Sequence, residues 1–87
     1  MSSAMRYLSK SMNTSILVSL KNGVYVRGIL KSYDNHLNLI LDNAEEIYTT
    51  PDGETKQNRL GKRVLIRGDN VIAISTQRIE GLEGEEE

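Results

Sequence analysis

The chain has 87 residues, of which 38% are hydrophobic, and a formal net charge of −1 at pH 7. A chain of this length forms one domain with a single core, near the size at which burial is marginal and association often helps. It contains no cysteine and one histidine, which excludes disulfides, thiolate metal sites and the usual zinc clusters. We therefore expect no structural metal and no cofactor.

The sequence shows no sign of membrane insertion or export. No stretch approaches the roughly 20 apolar residues that a membrane helix requires. The N-terminal segment MSSAMR also lacks the apolar core of a signal peptide. We therefore expect a soluble, cytoplasmic protein with no membrane partner.

The acidic residues are concentrated at the C-terminus. Five of the 12 lie in residues 80–87, which leaves residues 1–79 with 11 basic and 7 acidic groups, a charge of +4. Because residues 80–87 repel one another and contain almost nothing to bury, we predict a domain at 1–79 followed by an acidic disordered tail. Solubility is the default role for such a tail, ahead of nucleic-acid mimicry or partner binding.

The first predicted element is a short amphipathic helix at about residues 3–12. Met5, Leu8 and Met12 are spaced i, i+3 and i+7, so they fall on one face of a helix. A serine at position 2 or 3 is a suitable N-cap. The spacing therefore predicts a helix that precedes the strands.

The next two elements form a predicted β-hairpin. An alternating run begins at Ile16 and ends in Asn22-Gly23, the strongest short-range signal for a hairpin turn. The second strand runs from residue 24 to about residue 33. Gly28 in its interior has no side chain to pack, and we interpret it as a sharp bend rather than a break.

Three more strands are predicted, at about residues 39–48, 62–66 and 71–75. Between the first two of these, residues 49–61 include Pro51 followed by Asp52-Gly53, so we predict an exposed polar loop there. The strands thus extend over about residues 15–76. Five strands after one helix predict a small, strongly bent sheet or open barrel.

Two polar loops interrupt the apolar strands: the first polar loop at residues 34–38 (DNHLN) and the second polar loop at residues 67–70 (RGDN). Each should lie at a strand end and be held rigidly. Together they supply an imidazole, a side-chain amide, a guanidinium and a carboxylate, from His36, Asn38, Arg67 and Asp69. Such groups can hold a nucleobase by its edge and by its two faces.

The two polar loops lie within longer motifs. Residues 26–42, VRGILKSYDNHLNLILD, resemble the first Sm motif, and residues 65–71, LIRGDNV, resemble the second. With the helix before them, the match spans about residues 3–76. The chain therefore resembles the Sm-like (LSm) protein family. Since it lacks a long basic or arginine-glycine tail, it is most similar to the archaeal members.

This resemblance implies a mainly β Sm fold, in which a short helix precedes a strongly bent, five-stranded antiparallel sheet and copies assemble into a ring. Archaeal relatives are typically heptamers of one chain. The residues independently favour association, because neither of the predicted strands 62–66 and 71–75 contains a proline that would block edge pairing. Head-to-tail pairing of identical edges gives a ring when the rotation closes.

The resemblance also implies a function. His36 and Arg67 occupy the positions that sandwich a uracil base, Asn38 the position that bonds its edge, and Asp69 a position that supports the pocket. The implied protein is a non-catalytic ring that binds uridine-rich single-stranded RNA. It would serve as a ribonucleoprotein (snRNP) core or RNA chaperone in RNA processing, with RNA-processing proteins as further partners.

Each loop also has a purely structural interpretation. The second polar loop can be a tight turn that needs Gly68 for a positive φ. Asp34 and Asp42 can bond to the local backbone, and we place both outside the pocket. A ring that binds protein partners without RNA specificity is the alternative function.

A hydrolase and two other folds are less consistent with the residues. A hydrolase using His36 with Asp34 or Asp69 lacks a plausible nucleophile, metal cluster or phosphate loop. Without Phe or Trp, the chain lacks the aromatic platform of an RRM. An OB-fold is the nearest rival fold, but Asn22-Gly23 followed by the two motifs favours the Sm arrangement.

Overall fold

The computed structural model describes residues 2–76 and confirms one helix followed by five strands. The acidic tail predicted at 80–87 lies outside the described residues. The elements are α1 (Ser3–Lys10), β1 (Ser15–Leu20), β2 (Tyr25–Tyr33), β3 (Leu39–Thr49), β4 (Thr55–Ile66), a 3-10 turn (Gly68–Asn70) and β5 (Val71–Thr76).

The helix α1 begins as the serine cap predicts. Ser2 is the N-cap, and its hydroxyl accepts a hydrogen bond of 3.1 Å from the backbone N–H of Met5. Leu8 is buried in the core, whereas Met12 lies beyond the end of the helix and is only partly buried against it. The helix ends at Lys10, two residues before the predicted boundary.

The five strands form one antiparallel sheet in the order β4-β3-β2-β1-β5. The β1–β2 turn forms at Asn22-Gly23 as predicted, and Gly23 adopts a φ of +83°. Strands β4 and β5 are the two edges of the sheet, and neither contains a proline. The prediction that the strands without proline at 62–66 and 71–75 lie at the edges of the sheet is therefore confirmed.

One face of the sheet and the helix α1 together form the core. The buried apolar residues of this core are Leu8, Ile16, Val18, Val26, Leu30, Leu39, Leu41, Ala44 and Ile66. The backbones of β2 and β3 lie close together at Gly28, since a Cβ atom there would lie 3.1 Å from the carbonyl oxygen of Asp42. The β2–β3 register shifts at the same place, which confirms the bend predicted at Gly28.

The prediction of a long polar loop at residues 49–61 is wrong. Strand β4 already begins at Thr55 and pairs with the second half of β3, so the connection shrinks to residues 50–54 around Gly53, whose φ is +91°. Residues 55–60 are all exposed. They therefore carry no apolar alternation, and only backbone pairing with β3 makes them a strand.

Among residues 2–76, no helix combines the length and the apolar character needed to cross a bilayer.

Candidate nucleic-acid interface

The sheet brings the two polar loops to the same place. The first polar loop joins β2 to β3, and the second polar loop joins β4 to β5. Leu39 of β3 pairs directly with Ile66 of β4. Their chain neighbours Asn38 and Arg67 therefore lie side by side where these strands end.

Asp34 organises the first polar loop. Its Oδ1 atom accepts hydrogen bonds from the backbone N–H of His36 at 2.9 Å and of Asn38 at 3.0 Å. Its Oδ2 atom accepts from the Nδ2 of Asn38 at 3.0 Å. These bonds hold the pKa of Asp34 below its ordinary value, and the bond from the side-chain amide of Asn38 has the largest effect. The predicted bonding of Asp34 to the local backbone is confirmed.

A hydrogen bond ties the two polar loops together. The backbone N–H of Gly68 donates to the Oδ1 of Asn38 at 2.7 Å. A Cβ atom on Gly68 would lie 1.8 Å from the carbonyl oxygen of His36, so no side chain fits there. The glycine is required for close approach of the loops and not for a positive φ, which is found instead at Leu37.

The four residues predicted to bind a base differ in how they are held. His36, Arg67 and Asp69 have exposed side chains, whereas Asn38 is partly buried. Arg67 Nη2 lies 3.9 Å from Asp69 Oδ2, an exposed pair that contributes little to stability. The structure thus places Asn38 beside Arg67 through the pairing of Leu39 with Ile66, and His36 near Arg67 through its backbone contact with Gly68. Their contacts with a base remain predictions.

The amide of Asn38 keeps hydrogen-bonding capacity for a ligand. An asparagine amide offers two N–H donors and two oxygen lone pairs. The bonds to Asp34 and Gly68 use one of each. Within residues 2–76, one donor and one acceptor of this amide are left, and the same two loops carry an exposed imidazole and an exposed guanidinium. The arrangement suits a planar, polar-edged ligand.

Asp42 does not bond to the local backbone as predicted. It lies within β3 opposite Arg63 of β4, and their side chains form a two-pronged ion pair at 2.6 and 2.9 Å. The bonds to Arg63 lower the pKa of Asp42. Sequence alone missed this pair because it depends on the β3–β4 register. It supports the sheet and stays outside the polar loops.

Two features of the site were missed or undervalued by sequence reasoning. The sequence analysis places Asp34 outside the pocket, and the structure shows that Asp34 accepts a hydrogen bond from the side chain of Asn38. The sequence predicts only a turn at Gly68, because the contact of Gly68 with His36 has no local sequence signal. Within residues 2–76, no three His, Asp or Glu side chains are grouped as a metal site would require.

The sequence and the fold both match known proteins. The family model described as LSM domain matches residues 6–76. An Sm-like protein of Aeropyrum pernix is 46% identical over 71 residues, which cover 82% of this chain and 84% of the relative.

Two solved structures show the same fold. The Pyrococcus abyssi Sm protein, solved in complex with a uridine heptamer, has a TM-score of 0.74 and 42% identity, with coverage of 87% of this chain and 100% of that one. The SmAP1 heptamer of P. aerophilum has a TM-score of 0.74 and 34% identity, with coverage of 91% and 99%. The chain therefore belongs to the Sm-like, or LSM-domain, protein family.

Proposed function

We propose that this chain assembles into a ring that binds uridine-rich single-stranded RNA and catalyses no reaction. The observation that carries the proposal is the bond between Asn38 and Gly68, which joins the two polar loops into one surface. The P. abyssi relative was solved with a uridine heptamer. Its 42% identity to this chain supports the same ligand class here.

The proposed pocket holds one base at a time. His36 and Arg67 stack on opposite faces of uracil, which is worth about 1 to 3 kcal/mol per stacked base. Asn38 bonds the O4 and N3–H edge with its remaining donor and acceptor. Asp69 lies near the guanidinium of Arg67 and restrains it.

The ring is proposed from the two edge strands. Strand β4 exposes Leu65 at 60% and β5 exposes Ile72 at 62%, so each unpaired edge carries an apolar side chain. Pairing of β4 in one copy with β5 in the next would satisfy both edges. We propose seven copies because the relatives include heptamers. Seven weak pockets then act together through high effective concentration.

The proposed cellular role is that of a cytoplasmic ribonucleoprotein core or RNA chaperone in RNA processing, with RNA-processing proteins as partners. We further propose residues 1–79 as the Sm-like domain, of which residues 6–76 match the family model. Binding without catalysis is supported by the site. Asp34 bonds the backbone of His36 rather than its ring, and Asp69 lies beside Arg67.

A ring that binds protein partners without RNA specificity is the second candidate. It is favoured by an apolar cleft of about 370 Å³ between α1 and β5, lined by residues that include Tyr7, Leu37 and Ile72. Such a cleft suits an apolar side chain of another chain. In this alternative the two polar loops would only shape the fold.

Native mass spectrometry with and without oligouridine tests the proposal directly. We expect a mass of about seven times 9.8 kDa that shifts on addition of oligouridine. Fluorescence anisotropy should give tighter binding of oligouridine than of oligoadenosine or oligocytidine of equal length. Binding by stacking and edge contacts should persist at raised salt, unlike binding through phosphates alone. Equal affinities for all three would favour the protein-assembly ring.

A further inference from the structure

The amide of Asn38 is held at both ends by groups of fixed hydrogen-bonding character. At one end the backbone N–H of Gly68 can only donate, and it lies 2.7 Å from Oδ1. At the other end the carboxylate of Asp34 can only accept, and it lies 3.0 Å from Nδ2. The chemistry of these two neighbours permits one orientation of the amide.

A flipped amide would lose both bonds. Its Nδ2 would face the N–H of Gly68, donor against donor, and its Oδ1 would face the carboxylate of Asp34, acceptor against acceptor. Each unmade bond to a partly buried polar group is unfavourable. Asp34 and Gly68 therefore lock the amide, although they lie 34 positions apart in the chain.

The orientation of the amide decides which base edge it matches. Uracil presents an acceptor at O4 and a donor at N3–H, whereas cytosine presents a donor at N4 and an acceptor at N3. The two patterns are opposite. An amide that matches uracil in one orientation would therefore match cytosine after a flip of its oxygen and nitrogen.

We propose that Asp34 is a positioning residue that sets the preference for uracil over cytosine by fixing the orientation of the Asn38 amide. This inference rests on the proposed function and adds a specificity determinant that itself touches no base. The two oxygens of Asp34 have separate tasks. Oδ1 holds the backbone of the first polar loop, and Oδ2 holds the amide of Asn38.

This separation allows a variant that keeps the loop and removes the lock. In D34N, the amide oxygen can still accept from the backbone N–H groups of His36 and Asn38. The new NH2 group faces Nδ2 of Asn38, donor against donor. Each orientation of Asn38 then makes one bond and loses one, so both should be populated.

The experiment measures the affinities of the ring for uridine and cytidine heptamers by fluorescence anisotropy, with ring size followed by light scattering. For D34N we expect an intact ring whose preference for the uridine heptamer falls about fivefold or more, since one matched base contact discriminates by about 1 to 3 kcal/mol. D52N is the matched control. It removes the same charge at the exposed β3–β4 turn and should keep the parental preference.

D34S is a second variant, which allows the same test if D34N does not fold. Its shorter hydroxyl can cap the loop backbone but cannot reach Asn38 Nδ2, so the preference should fall there also. An unchanged preference in an intact D34N or D34S ring would overturn the inference and leave the proposed function standing. A parent that does not bind the uridine heptamer would overturn both.

Discussion

The backbone of Gly68 packs against the carbonyl group of His36 at a distance that no side chain can share. A Cβ atom on Gly68 would lie 1.8 Å from that carbonyl oxygen and 2.9 Å from its carbon. The obstructing atoms belong to the backbone, so no rotamer change can relieve the contact. The approach of the two polar loops therefore depends on one hydrogen atom in place of a methyl group.

The first prediction is that G68A separates the polar loops. The displaced second polar loop should lose its bond to Asn38, and oligouridine binding should fall. Overpacking of this kind costs about 1 to 3 kcal/mol or more, which urea denaturation measures. G53A is the control, because its only penalty is the φ of +91°, with open space around the glycine. Full oligouridine affinity in G68A would contradict the proposed pocket.

The second prediction concerns the stacking pair. H36A and R67A should each weaken oligouridine binding by roughly 1 to 3 kcal/mol per occupied pocket, amplified around the ring. Ring size should not change, because both side chains are exposed and belong to loops rather than to the paired strands. R59A removes an exposed guanidinium from the β3–β4 hairpin and should bind nearly as the parent does. If H36A and R67A rings keep parental affinity, the polar loops do not form the pocket.

The third prediction is that loss of the Asn38 side chain lowers the stability of the fold more than loss of the His36 side chain does. N38A leaves the N–H of Gly68 and the Oδ2 of Asp34 without their shared partner. The exposed Asp34 carboxylate can turn to water, but the N–H of Gly68 is partly buried, and an unsatisfied group of that kind costs about 1 to 3 kcal/mol. N38A should therefore lower the free energy of unfolding more than H36A does, and it should also lose the preference for uridine. Equal stabilities of the two variants would argue against the inter-loop bond.

The fourth prediction concerns assembly. L65K and I72K each place a charge on an exposed edge strand and should break the ring into smaller species by light scattering. Oligouridine affinity should fall with them, because separate pockets lose the gain from effective concentration. Y25K is the control, since Tyr25 is 44% exposed on a strand paired on both sides. An intact ring in both edge variants would point to another interface.

The fifth prediction concerns acid stability. Asp34 and Asp42 have lowered pKa values, caused mainly by bonds from Asn38 and Arg63. A lowered pKa stabilises the folded chain above the unfolded value, about 3.9 for Asp, and this contribution is lost as pH falls through the folded value. Tm should therefore drop below about pH 4. In the combined D34N and D42N variant, Tm should depend less on pH below about pH 4. An unchanged dependence of Tm on pH would contradict the assignment of the acid sensitivity to these two carboxylates.

Local patterns were sufficient for the elements whose residues face the core or make a tight turn. The helix cap at Ser2, the turn at Asn22-Gly23 and the bend at Gly28 each have a physical cause within a few residues of chain. The first half of β4 has no such cause. Residues 55–60 are exposed throughout, and they form a strand because β3 offers them a partner.

In the candidate site too, the residue types could be predicted from the sequence, whereas the contacts between the loops could not. The residue types of His36, Asn38 and Arg67 indicate nucleobase chemistry, and the Sm motifs predict their proximity. The bond from Gly68 to Asn38 spans 30 positions and depends on the pairing of Leu39 with Ile66. The bond between Asp34 Oδ2 and the amide of Asn38 could not be predicted for a similar reason. An aspartate that caps a turn has the same sequence pattern whether or not its other oxygen accepts a hydrogen bond.

The second polar loop also determines the shape of the subunit. It connects β4 to β5, which lie at opposite edges of a five-stranded sheet. In a flat sheet those edges would be four strand spacings, about 19 Å, apart. The connection has four residues, three of them in the 3-10 turn Gly68–Asn70. Its five Cα–Cα steps, two of them within the turn, span roughly 15 Å at most. The sheet must therefore curl enough to bring the end of β4 and the start of β5 closer together than a flat sheet allows. Loop length thus limits how far apart the two edges of the sheet can lie, and one inserted residue would relax that limit and displace the second polar loop from the first.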